Sequence, residues 1–125
     1  MIRRSGENIS AVEVESVLQQ HPAVRQVAVA AAPDPVRGDE VIACIVTRER
    51  LAEDAAQRQT LARAIVSWCL PRLAYYKAPG YVAFVPDLPI TSTQKIQRGE
   101  LKALVARVVT SSDCVDTRAM KKRSG

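Results

Sequence analysis

AVRQVAVAAAPDPVRGDEVIACIVT, residues 23–47, decides the architecture. Two apolar runs rich in alanine and β-branched residues flank PDPVRGD, which holds Pro33, Asp34, Pro35, Gly38 and Asp39. Proline presets φ, aspartate bonds its own backbone and glycine accepts positive φ, so that segment reads as a turn. One strand runs up to Pro33 and a second covers EVIACIVT, residues 40–47. Their simplest pairing is an antiparallel hairpin. The second run is apolar almost throughout, which is the pattern of a covered strand. Helices must supply the cover.

Three helices are legible around this hairpin. Before it, Ser10 stands as an N-cap with Glu13 three residues on, a capping box. Val14, Val17 and Leu18 follow at helical spacing, and His21-Pro22 stops the helix because the residue before proline is pushed out of the α region. After the hairpin a charged stretch leads into a second helix. There Leu61, Ala64, Ile65 and Trp68 fall at i, i+3, i+4 and i+7, with Pro71 as its end. A turn at Pro79-Gly80 opens a third strand, and Leu101, Leu104, Val105 and Val108 mark a third helix. The opening MIRRSGENIS is polar around Gly6 and reads as a loop or short hairpin. The expectation is a small α+β domain: about three central strands in a mixed sheet, a short N-terminal hairpin and three flanking helices.

The chain has 125 residues, of which 47% are apolar and 25% charged. That composition suits one globular domain and excludes a disordered one. Residues 1–109 form the domain, and residues 110–125 read as a flexible basic tail ending in Lys121, Lys122 and Arg123. The net charge of +5 favours anionic partners such as phosphates and nucleotides. Cys44, Cys69 and Cys114 are odd in number and widely spaced, so neither a disulfide framework nor a metal site is indicated. No stretch reads as a signal peptide or a membrane span, and a reducing cytoplasm is the expected setting.

Two polar loops stand out against this scaffold. RRSGEN, residues 3–8, offers two guanidinium groups, a hydroxyl, an amide and an unhindered glycine backbone. Arginine forks match phosphate oxygens, and glycine lets a ligand approach the main chain. TSTQK, residues 91–95, offers the hydroxyls of Thr91, Ser92 and Thr93, the amide of Gln94 and the ammonium of Lys95, close to a helix start. Ordinary solvated loops have similar compositions, so on composition alone Lys95 is one surface lysine among many.

IRRSGENISAVEVESVLQQHPAV, PDPVRGDEVIACIV and YKAPGYVAFVPDLPITSTQKIQRGELK, in that order, resemble the C-terminal domain of AMP-forming acyl-CoA synthetases. This acyl-adenylate-forming superfamily also includes firefly luciferase and the adenylation domains of nonribosomal peptide synthesis. The RSGENIS wording is most similar to fatty-acyl, carnitine and crotonobetaine CoA ligases. The resemblance implies a mobile small domain that closes over a larger N-terminal domain holding ATP and a carboxylic acid. Carboxylate and ATP give acyl-AMP and pyrophosphate, and CoA then displaces AMP to give the thioester.

By that resemblance Lys95 is the adenylation lysine, supported by Thr91, Ser92, Thr93 and Gln94. Gly6 lies beside the path of the pantetheine arm of CoA, where a Cβ would narrow the tunnel. Arg3 and Asn8 lie near the nucleotide phosphate or ribose, with Ser5 and Arg4 assisting. Gln94 stands where the family usually has glycine, a departure in the loop that carries the lysine. Mg2+ is expected with ATP, outside this domain. The glycine-rich phosphate loop of the larger domain is missing from these 125 residues, so the chain alone is expected to catalyse neither half-reaction. A free-standing interaction or regulatory module built from this domain, and a small basic nucleic-acid binder, are the rival readings. The latter needs exposed aromatics among its basic residues, and the chain has one Phe and three Tyr.

Overall fold

In the computed structural model, which describes residues 2–35, 38–49, 55–93, 95–111 and 113–121, the chain runs through six strands and three helices. They are β1 (Ile2–Arg4), β2 (Glu7–Ile9), α1 (Ala11–Leu18), β3 (Val24–Asp34), β4 (Gly38–Thr47), α2 (Ala55–Cys69), β5 (Tyr81–Phe84), α3 (Arg98–Val108) and β6 (Cys114–Asp116). The expected hairpin is the spine: β3 and β4 pair antiparallel from Val24↔Thr47 to Asp34↔Gly38. β5 joins β4 in parallel, a pairing that needs the crossover supplied by α2. The sheet is therefore mixed, in the order β2-β1-β4-β5-β6 with β3 along the other side of β4. Among the described residues β3 pairs only with β4, so its outer side is an edge.

Alternation along the strands divides the core into two layers. Val27, Val29, Val41, Ala43 and Ile45 pack with Val14 and Leu18 of α1 and with Ala62, Ile65, Val66 and Cys69 of α2. Ala28, Ala32, Ile42, Cys44 and Val46 face the other way and pack with Leu101 and Val105 of α3. α1 and α2 thus cover one face and α3 the other.

Three expectations are corrected. The buried stripe of α2 is Ala62, Ile65, Val66 and Cys69, one position on from the stripe expected, while Ala64 is exposed and Leu61 and Trp68 sit at the core margin. Both stripes obey the helical period, and four-residue spacing alone does not choose between neighbouring phases. In the capping box, Ser10 Oγ accepts from Glu13 N–H at 3.4 Å, but the Glu13 carboxylate reaches Lys77 Nζ instead, at 2.9 and 3.1 Å. Within the expected flexible tail, β6 pairs with β5 and Arg118–Met120 form a 3-10 turn. Thr117 anchors this segment, its N–H donating to Gly80 O and its hydroxyl to Pro79 O. Residues 122–125 lie outside the described residues.

Candidate functional site

β1 and β2 are joined by Ser5 and Gly6 alone, with φ of 50° and 84°. Two-residue hairpin loops with both φ values positive are the type I′ arrangement, which glycine enters without steric cost. The register pairs Ile2 with Ile9 and Arg3 with Asn8. Alternation then buries Ile2, Arg4 and Ile9 and leaves Arg3 and Asn8 exposed opposite each other. Ser5 and Gly6 are exposed at the tip.

Arg4 has a different role from the one expected. It is 3% exposed, and its Nε donates to Glu40 Oε1 at 3.1 Å. Glu40 is fully buried and also accepts from Lys121 Nζ at 2.7 Å and from Val41 N–H at 2.8 Å. Lys121 donates in addition to Tyr76 O at 2.9 Å. A carboxylate taken out of water is tolerated only when such partners satisfy it. Arg4 is therefore committed to Glu40 rather than turned to a ligand, and Lys121, expected in a solvated tail, is buried.

Four groups of the exposed side come together. Arg3, Gly6, Gly38 and Asp39 line a depression of about 370 Å3, where the Arg3 N–H donates to Asp39 Oδ2 at 3.2 Å. Among the described residues, a Cβ added to Gly6 would meet nothing within 4 Å. The space above Gly6 is open. Asp39 is an addition that sequence reasoning missed, because its place beside Arg3 depends on a contact across 36 residues.

The second loop leads from β5 into α3. Ile90 and Ile96, packed against the α3 layer, form an isolated antiparallel bridge that closes residues 91–95. Inside it Thr91 N–H donates to Lys95 O at 2.8 Å, and Lys95 N–H donates to Thr91 Oγ1 at 3.1 Å. The hydroxyls of Thr91 and Thr93 lie 2.9 Å apart. Gln97 N–H closes the stem onto Pro89 O. Thr91 thus spends its polar groups on holding the loop, while Ser92, Thr93 and Lys95 are exposed. The Lys95 ammonium has no hydrogen bond or ion pair among the described residues. Gln94 lies outside the described residues.

A fork behind this loop was also missed. Arg98, the first residue of α3, donates from Nη1 to Glu15 Oε2 at 2.9 Å and from Nη2 to Glu15 Oε1 at 3.0 Å. No local pattern joins residues 83 apart.

Among the described residues no group of three or more His, Cys, Asp or Glu side chains could hold a metal ion, and no helix is long and apolar enough to cross a membrane.

The family model for the AMP-binding enzyme C-terminal domain matches residues 13–95. Over 102 residues the chain is 38% identical to a mitochondrial medium-chain acyl-CoA ligase of Danio rerio, covering 82% of this chain and 16% of that protein. It superposes on an acyl-CoA synthetase of Brucella canis with a TM-score of 0.74 and 34% identity, covering 85% of this chain and 19% of the other. For o-succinylbenzoate CoA synthetase of Bacillus subtilis, solved with its acyl-adenylate intermediate, the TM-score is 0.68 and the identity 35%, covering 81% of this chain and 19% of the other. The chain spans less than a fifth of the length of each of these relatives.

Proposed function

Because this chain belongs to the AMP-binding enzyme C-terminal domain family, we propose that it is the small lid domain of an AMP-forming acyl-CoA ligase. Its partner is then a larger adenylate-forming domain, and its substrates are a carboxylic acid, ATP and CoA. One observation carries the reading: Lys95 is an exposed ammonium, without a partner among the described residues, on a loop that its own hydrogen bonds hold closed. A cation so placed is available to another domain.

The chemistry explains why such a residue is needed. As the carboxylate oxygen attacks the α-phosphorus and pyrophosphate leaves, two anionic groups are forced together. A positioned cation is worth more in that transition state than in the ground state, so it raises the rate rather than only the affinity. Lysine suits the task, as a point charge on a long stem. Thr91 and Thr93 hold the loop, and Ser92 and Gln94 are its other members in sequence. Mg2+ accompanies ATP and binds outside this domain.

The second half-reaction falls to the hairpin. The CoA thiol attacks the acyl carbonyl and AMP departs. The open space above Gly6 suits a slender pantetheine arm, and the exposed Arg3, Ser5 and Asn8 suit phosphate or ribose. A reducing aqueous compartment fits the three unpaired thiols, and both the cytoplasm and the mitochondrial matrix meet that description.

The test is to join this domain to a large adenylate-forming domain and separate the half-reactions. Lys95→Ala should slow acyl-adenylate formation by about 10²–10³, the loss typical of one transition-state donor. Thioester formation from pre-made acyl-AMP should persist. Pyrophosphate exchange at the parent rate would remove Lys95 from the mechanism.

A further inference from the structure

α1 and α3 cover opposite faces of the sheet, yet Glu15 and Arg98 join them around its edge. Between the two side chains lies Val29 of the edge strand β3. Its N–H donates to Glu15 Oε2 at 2.7 Å, and its carbonyl accepts from Arg98 Nη1 at 3.1 Å. Four hydrogen bonds therefore converge on one point of the edge, two within the ion pair and two to the backbone. An edge strand otherwise presents such groups unpaired. Bidentate arginine–carboxylate pairing fixes orientation as well as distance, and the side chain of Glu15 is only 12% exposed.

The clasp closes where position matters. Arg98 follows Lys95 by three residues, with the Ile90–Ile96 bridge and the Gln97–Pro89 bond between them. Apart from the fork, α3 meets the sheet among the described residues through the apolar contacts of Leu101 and Val105, which are non-directional. We infer that Glu15 and Arg98 are positioning residues, which clasp the sheet edge and hold the Lys95 loop in register for adenylation. The functional half of this inference rests on the lid-domain reading; the structural half does not.

Two measurements separate them. In the 125-residue chain, Arg98→Met removes the fork and keeps the apolar stem. Amide exchange at Thr91 and Lys95 should quicken by about tenfold or more, while amides in the centre of β4 keep their protection. Unchanged exchange at Thr91 and Lys95 would overturn the clasp whatever the domain does. In the joined ligase, Arg98→Met should slow adenylation about 10- to 100-fold, since small misplacements of a reacting group are costly. Thioester formation from acyl-AMP should stay within about twofold of the parent, because the hairpin has its own anchor in Arg4 and Glu40. Glu15→Gln should act in the same direction, and the double variant should cost no more than the worse single one.

Lys95→Ala is measured in parallel. If it slows adenylation and Arg98→Met does not, the positioning role is lost while the lid reading stands. If Lys95→Ala has no effect, the lid reading of Lys95 is lost, and the exchange experiment alone decides the clasp. Equal losses in both half-reactions for Arg98→Met would mark a general structural role and overturn the positioning one.

Discussion

The buried carboxylate of Glu40 fills the space that a Cβ on Gly80 would need. The contact ties three distant parts of the chain together, since Glu40 also holds Arg4 of the hairpin and Lys121 of the final segment. Gly80→Ala must therefore displace a side chain that is fixed by two cations and a backbone N–H. The expected loss is about 1–3 kcal/mol from overpacking. Lys121→Met should cost about 1–3 kcal/mol, as loss of one partner from a buried acceptor does, because Arg4 still neutralises Glu40. Urea unfolding of both variants checks this. A Lys121→Met midpoint equal to the parent's would show that the last segment only decorates the sheet.

The two arginines of the hairpin, adjacent in sequence, should behave oppositely. Arg4→Ala leaves Glu40 short of a buried partner, and stability should fall by several kcal/mol. Arg3→Ala removes an exposed side chain and should change stability by no more than about 0.5 kcal/mol. In the joined ligase Arg3→Ala should raise the KM for CoA and leave adenylation alone. Gly6→Asn offers the matching test of the tip, because asparagine accepts positive φ and keeps the turn while adding a side chain to the open space. Unchanged thioester yield and CoA affinity in both variants would remove the hairpin from the second half-reaction.

The three thiols should be nearly silent in the folded chain. Burial is the main cause of each shift, pushing Cys44 and Cys69 up to about 12 and Cys114 up to about 11. The thiolate is the reactive species, so modification by a disulfide reagent near pH 8 should be on the order of a hundredfold slower than in denaturant. Cys114 is half-buried and should react first, with all three available after unfolding. Rapid labelling of Cys44 in the native protein would contradict its place in the α3 layer.

Periodic elements were legible because their signal is local. The turn between β3 and β4, the stripe of α3 and the Ser10 cap each depend on residues within a few positions of one another. β6 escaped because three residues, Cys114, Val115 and Asp116, carry too little periodicity to show. Its stability comes from pairing with β5. The loops bearing Gly6 and Lys95 were recognisable as motifs, whereas what holds them was not. Arg4 meets Glu40 across 36 residues, Lys121 meets it across 81, and Arg98 meets Glu15 across 83. A single sequence shows each of these as an ordinary charge. Only the fold makes them pairs.

The last prediction concerns pH. His21 Nδ1 accepts the Ala23 N–H at 3.0 Å, and the ring meets Trp68 edge to face at 5.2 Å. Arg72 stacks over the same Trp68, 4.0 Å from its centroid. Burial first, and the Arg72 charge second, lower the pKa of His21 below 6.5. Protonation would also remove the acceptor that Ala23 uses. A base whose pKa is lower when folded binds its proton more readily when unfolded, so its contribution is complete above the unfolded pKa and lost as pH falls below it. Thermal midpoints should therefore drop from about pH 7.5 to pH 5. His21→Asn keeps an acceptor for Ala23 and does not titrate, so its midpoint should fall less over the same range. Carboxylates that titrate in both proteins cancel in the difference. Parallel curves for the two proteins would mean that His21 is not linked to folding.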